Sequence, residues 1–179
     1  AINLIYKRHF VMSTFLKDVL HRINAGLGKT EDEYYQAIAK SFLVSCDNAH
    51  ALHPNHAEKT DAVNFVTMNG GIVIKESANQ KYTTDAFSRA LFTGVCQNVN
   101  VPVQSFANRS DVVGGSTLGN LSNTQVSVHA VDFGLAQLAM HSCFETAGVK
   151  DTEYAIVALK EFYETNVQIE EAESVCLEK

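Results

Sequence analysis

Apolar positions recur at helical spacing early in the chain. In residues 13–24, STFLKDVLHRIN, the side chains of Phe15, Leu16, Val19, Leu20 and Ile23 share one face, which predicts a helix. Gly26 and Gly28 mark its end. Thr30 and Glu33 then form a capping-box pattern, in which hydroxyl and carboxylate satisfy the amides at a helix start, and this predicts a second helix over 31–40. The acidic run EDE at 31–33 has a structural reason there, because carboxylates are favoured at a helix N-terminus. Beyond it the pattern changes. SFLVS (41–45) is short, apolar and partly β-branched, as a buried strand requires, and GIVIKES (71–77) reads likewise. Two-residue alternation in the latter puts Ile72 and Ile74 on one face and Val73 and Lys75 on the other. Thr83 or Thr84 is the expected cap of a helix running to about Val99. VPVQSFANR (101–109) and TQVSVHAVDFG (124–134) are the third and fourth strands. Residues 135–147 and 151–165 read as helices, the second capped by Asp151, and the polar tail EEAESVCLEK is expected to fray. Strands alternating with helices predict an α/β fold: a mixed sheet flanked by helices.

Composition limits what such a fold serves. The chain has 179 residues, 46% hydrophobic, which suits one soluble domain with a substantial core. With 20 acidic and 14 basic residues its net charge is −6, the opposite of a nucleic-acid binder's footprint. No apolar run approaches a membrane span. The N-terminus, AINLIYKRHFVM, places its basic cluster after the apolar residues, the reverse of a secretory signal. Cys46, Cys96, Cys143 and Cys176 form no CxxC pair, which points to a reducing compartment. The expectation is a cytoplasmic protein with neither nucleic-acid nor membrane partners.

The candidate chemistry begins where SFLVS ends. Ligands in α/β sheets gather at the carboxyl ends of strands, and Asp47 lies just past such an end. His50, His53 and His56 follow at a spacing of three, but Pro54 interrupts any helix through them. Spacing alone leaves each open as a metal ligand, a hydrogen-bonded loop histidine or a solvated one. DVVGGSTLGN (111–120) is glycine-rich, yet Asn120 stands where a P-loop needs lysine. It reads instead as a loop whose backbone must come close to a ligand or another strand. His141, in LAMHSCFE, is open between a satisfied core histidine and a zinc ligand. The serine elbow G-x-S-x-G does not occur.

Four stretches in order carry a resemblance: SFLVSCDNAHALHPNH (41–56), GGIVIKESANQKYTTDA (70–86), VPVQSFANRSDVVGGSTLGN (101–120) and VDFGLAQLAMHSCFE (131–145). Together they resemble the aspartyl aminopeptidase family of dinuclear zinc aminopeptidases, over most of residues 13–165. The resemblance implies a zinc-exopeptidase-like catalytic domain that removes N-terminal residues, acidic ones above all, from peptides. It implies that Asp47 binds one zinc and that His141 binds the other. It makes His50 the catalytic helper that steadies the reacting carbonyl or its oxyanion. Lys75 and Tyr82 would line the substrate pocket, and the loop with Gly115, Ser116 and Thr117 would form part of its wall. His53 and His56 receive no role.

Two Zn²⁺ would activate a water near neutral pH, with Mn²⁺ or Co²⁺ as substitutes. The family also requires an upstream histidine, a bridging aspartate and a Glu-Glu pair, none of which this sequence matches. Residues 1–12 hold His9 and no acid. The expectation is therefore that residues 1–179 form the C-terminal portion of the catalytic domain. The dimerisation domain and upstream ligands would be absent, and this polypeptide would be inactive alone. The family's habit of large homo-oligomers extends to this chain as an expectation. The competing class is a non-catalytic assembly subunit or pseudoenzyme that keeps the fold, distinguished by its failure to bind zinc. Nucleotide binding at 114–119 is a third, requiring ATP affinity.

Overall fold

The computed structural model describes residues 13–171 and 174–178; His9 and the rest of the first twelve residues lie outside them. In order the chain forms helices α1 (Phe15–Gly26) and α2 (Glu31–Ala39), then strands β1 (Phe42–Cys46) and β2 (Ala49–His50). A 3-10 turn at Ala57–Lys59 precedes β3 (Ile72–Glu76), α3 (Ala86–Asn98), β4 (Val103–Ala107) and α4 (Leu118–Asn123). Then come β5 (His129–Gly134), β6 (Ala136–Leu138), β7 (Thr146–Ala147), α5 (Val149–Glu164), β8 (Asn166–Glu171) and β9 (Ser174–Glu178).

The main sheet is mixed, as expected, with strand order β1-β5-β3-β4. β1 runs parallel to β5 and β3 parallel to β4, while β3 and β5 are antiparallel. The alternation in β3 decides how its two faces are covered. Ile72 and Ile74 pack with Phe92 and Cys96 of α3, Val131 and Phe133 of β5, and Ala155 and Ala158 of α5. Val73 faces the other way, toward Ala49, Ala51, Val66, Tyr82, Phe106 and Ala136. Both faces are thus buried, which explains why GIVI is continuously apolar. On the second face β2, β6 and β7 form a small sheet of their own, with β2 parallel to β6.

Thr30 and Glu33 form the expected reciprocal cap on α2. The first helix ends where its glycines mark it: Gly26 is the last helical residue of α1, and Gly28 beyond it takes the left-handed conformation. Other local expectations are corrected. The cap of α3 is Asp85, in a capping box with Ser88, rather than Thr83 or Thr84. Asp151 does not cap α5. It lies within the first turn, fully buried, and accepts the amides of Asn69 and Gly71 at 2.6 and 2.9 Å, tying α5 to the turn before β3. The fourth strand begins only at His129, with α4 preceding it. Residues 135–147 are not helical. The β2 edge captures this segment, with the Ala49 and Ala51 amides donating to Leu135 and Gln137 carbonyls at 2.9 and 2.8 Å. Left-handed backbone at Ala139 and His141 then excludes a helix. The tail also departs from expectation. Its described residues complete the β8–β9 hairpin, whose cross-strand pairs include Val167–Leu177 and Ile169–Val175.

Candidate active site

Parallel pairing of β1 and β5 brings their carboxyl ends to one side of the sheet. Asp47 leaves β1 there, its amide donating to Phe133 O at 2.9 Å. Gly134 makes the approach feasible: a Cβ at that position would stand 2.0 Å from Asp47 O. The next residue, Asn48, locks the segment. Its Oδ1 accepts from the Leu135 amide at 3.1 Å, and its Nδ2 donates to Gln137 Oε1 at 2.5 Å. His50 follows in β2, paired with Gln137. The same segment continues through β6 to the turn that carries His141. Two distant parts of the sequence are thereby clamped along one edge.

A cavity of about 230 Å³ opens at this edge. Asp47, His50, Lys75, Tyr82, Gly115, Ser116, Thr117 and His141 all line it. Every residue to which the resemblance gives a site role therefore lines one cavity.

Lys75, near the end of β3, is only 2% exposed and not solvated. Its Nζ donates to Asn48 O at 3.4 Å and lies 5.1 Å from the Tyr82 ring centroid, within cation–π range. Tyr82 is buried, and its hydroxyl accepts from Asn108 Nδ2 at 3.0 Å. Burial raises its pKa, which keeps the phenol protonated. His50 keeps part of its surface exposed. Desolvation first, then the neighbouring His141 and Lys75, hold its pKa below the ordinary imidazole value. Its neutral ring can donate one hydrogen bond without carrying charge. His141 occupies left-handed backbone, φ 70°, and its amide donates to Glu145 Oε1.

His53 and His56 stand outside this cavity. With His50 they line a neighbouring one of about 310 Å³. His53 Nδ1 accepts the Asn55 amide at 3.1 Å, and His56 Nδ1 pairs with Glu58 at 3.1 Å. Both are hydrogen-bonded loop histidines, one of the readings left open by their spacing.

Sequence reasoning gave no role to Asn48, Asn108, Asp132 or Gln137. Asp132 carried a detectable signal, a carboxylate inside the apolar strand HAVDFG. The amides gave none, because their partners are up to 89 residues away.

Asp47 and His141 supply a carboxylate and an imidazole, chemistry that suits zinc. Among the described residues, however, no group of three His, Cys, Asp or Glu side chains is placed to hold a metal ion. This part of the chain offers two donors, short of the three or four that a zinc ion takes from protein.

Comparison with known proteins places the family and the fold. Residues 8–163 match the family model of aminopeptidase I zinc metalloproteases (M18). A probable M18 family aminopeptidase 2 of Clostridium novyi is 45% identical over 151 residues, 84% of this chain and 35% of that protein. Aspartyl aminopeptidase 1 of Schizosaccharomyces pombe is 43% identical over 159 residues, covering 89% and 33% respectively. The chain thus spans about a third of the length of these curated relatives. A chain in the cryo-EM structure of the Ape4 and Nbr1 complex superposes with a TM-score of 0.82 at 43% identity, over 86% of this chain and 29% of that one. A chain of the S. cerevisiae mApe1 dodecamer superposes with a TM-score of 0.72 at 25% identity, over 86% and 34%. On the extent of the family match and this shared fold, the chain belongs to the M18 family of aminopeptidase I zinc metalloproteases.

Proposed function

We propose that the protein containing this chain is a zinc-dependent aminopeptidase that releases N-terminal residues from peptides, with a preference for Asp and Glu. The observation that carries the reading is the buried Lys75 in one cavity with Asp47, His50 and His141. The name of the fission-yeast relative, an aspartyl aminopeptidase, supports the acidic preference.

Asp47 and His141 are the residues of this chain that would hold metal, one at each of two zinc ions, with Mn²⁺ or Co²⁺ as substitutes. The remaining donors and the general base come from outside the described residues. When bound, zinc supplies Lewis-acid polarisation and water activation near neutral pH. This chain's own residues bind and orient the substrate. The Lys75 amine meets the side-chain carboxylate of an N-terminal Asp or Glu. Tyr82, with its phenol held by Asn108, forms the flank of that pocket. Ser116 and Thr117 close it from the loop side. His50, as a neutral donor on the rim, stabilises charge developing on the carbonyl oxygen, an interaction strongest in the transition state.

The mApe1 dodecamer supports a large homo-oligomer for the whole protein. Four free cysteines support a reducing, cytoplasmic setting. Among the described residues no helix is long and apolar enough to cross a membrane.

Zinc analysis of the full-length protein with Asp47→Ala and His141→Ala tests the reading. Each variant should lose one zinc per subunit and fall by orders of magnitude in peptidase activity, with the fold kept. Full activity at unchanged zinc content in either variant would refute the assignment. A wild-type protein that binds no zinc after reconstitution would favour the scaffold reading.

A further inference from the structure

Below the cavity lies a carboxylate that takes no part in the chemistry above. Asp132 sits in the middle of β5 and is 0% exposed. Its Oδ2 accepts three hydrogen bonds, from the Thr83 amide at 2.6 Å, the Thr83 hydroxyl at 2.9 Å and the Thr117 hydroxyl at 2.8 Å. Its backbone amide donates to Thr84 Oγ1 at 2.9 Å. Among the described residues its buried Oδ1 has no hydrogen-bond partner. Burying a carboxylate with one oxygen unsatisfied is costly, so the bonds on the other oxygen must hold something in return.

What they hold is a pair of walls. Thr83 follows Tyr82 on one loop, and Thr117 follows Ser116 on the other; Tyr82, Ser116 and Thr117 all line the candidate substrate cavity. A further bond, from the Thr117 amide to Lys81 O at 3.4 Å, joins the loops directly. The Thr117 hydroxyl is committed to Asp132, so this residue meets the cavity with its remaining surface. The base of the second wall is fitted to the same carboxylate. Ser45, the β1 residue paired with Asp132, accepts the Gly119 amide at 2.9 Å. A Cβ at Gly119 would stand 2.7 Å from Ser45 Cβ and 3.0 Å from Asp132 Oδ1.

We propose that Asp132 is a positioning residue for substrate binding: one oxygen fixes the Thr83 and Thr117 loops relative to each other, and through them sets Tyr82 and Ser116 around the N-terminal side chain of the peptide. This rests on the aminopeptidase reading above. Asp132 touches neither substrate nor metal, so its removal affects binding rather than chemistry.

The test uses the full-length, zinc-loaded protein and a peptide with N-terminal Asp. In Asp132→Asn a neutral amide replaces the charged acceptor, and its NH₂ lands in the tight space beside Gly119. KM should rise about tenfold while kcat stays within about twofold, with zinc content unchanged. Simple loss of folded protein would do the reverse, lowering apparent kcat at constant KM. A gentler pair guards against misfolding. Thr83→Val removes one hydroxyl donor and should raise KM about threefold, whereas Thr83→Ser retains it and should keep the wild-type KM. If Asp132→Asn does not fold, this pair decides. An unchanged KM in Asp132→Asn, or equal KM values for Thr83→Val and Thr83→Ser, would overturn the positioning role. A wild-type protein with no aminopeptidase activity would instead overturn the underlying reading, and this proposal with it.

Discussion

Replacing Lys75 by methionine isolates the charge at the centre of the proposed specificity. The lysine stem runs from β3 on the Val73 face, and its end lies against Tyr82. At 2% exposure there is no room for a shorter side chain without a cavity, and methionine keeps the length and apolar character of the stem. The fold should therefore survive. What is lost is the partner for an acidic side chain in a partly desolvated pocket. A hydrogen bond to a charged group contributes about 1.5–3 kcal/mol, so kcat/KM on N-terminal Asp and Glu peptides should fall roughly ten- to a hundredfold. Leu and Ala peptides never offered that partner. They do not draw on the lysine charge, so methionine should leave their kcat/KM largely unchanged. The assay compares kcat/KM for both peptide classes in wild type and Lys75→Met, with zinc content and thermal melting as controls. An equal loss on both classes would refute the argument and assign Lys75 to the fold or the general site.

Two further expectations concern His50 and the α2 cap. His50→Ala should lower kcat strongly with normal zinc stoichiometry, since the ring acts in the transition state; loss of one zinc per subunit would make it a ligand instead. The capping box on α2 makes that helix acid-sensitive. The Lys29 hydrogen bond, then those from Thr30, depress the Glu33 pKa to about 2, so its stabilising contribution is present above the ordinary carboxylate value and is lost as pH falls through about 2. Acid titration followed by amide exchange should show α2 protection declining over that window in the wild type and already reduced at neutral pH in Glu33→Gln; identical profiles would contradict the assignment.

Much of the sheet was legible because its strands announce themselves locally. FLVS and GIVI are apolar over the length of a strand, though Phe42, Leu43 and Val44 are half-buried where Ile72 to Lys75 are buried, and the alternation that separated Lys75 from Ile72 and Ile74 is the one that opposes the two cores. That the candidate site residues share one cavity was foreshadowed by resemblance rather than pattern, since Asp47 and His141 have no local relation. The segment 135–147 was misread because Leu135, Ala136, Leu138 and Met140 are compatible with a helix until β2 offers a partner. That partner lies some 85 residues earlier, and a local window contains no trace of it. The hairpin was missed for a different reason. Its apolar alternation is present at Val167 and Ile169, and again at Val175 and Leu177, but charged residues between them dominate the composition. Asp132 was passed over because a lone acid in a strand gives no sign of which loops will reach it.

The pairing of β1 with β5 has a consequence for how the protein is made. Among the described residues, Phe42 to Cys46 find their partners in the main sheet at His129 to Phe133. His141 comes 94 residues after Asp47 (141 − 47). At about 5–20 residues per second, translation needs roughly 5–19 s to supply the second once the first is made. Throughout that interval β1 lacks its β5 neighbour, and the Asp47 amide lacks the Phe133 carbonyl that anchors it. On the proposed assignment, metal acquisition through Asp47 and His141 together comes late in synthesis, after the capped helix α2 that precedes β1 has been made. A nascent chain stalled between these points would expose the FLVSC edge, giving chaperones and proteases a clear mark of an unfinished subunit.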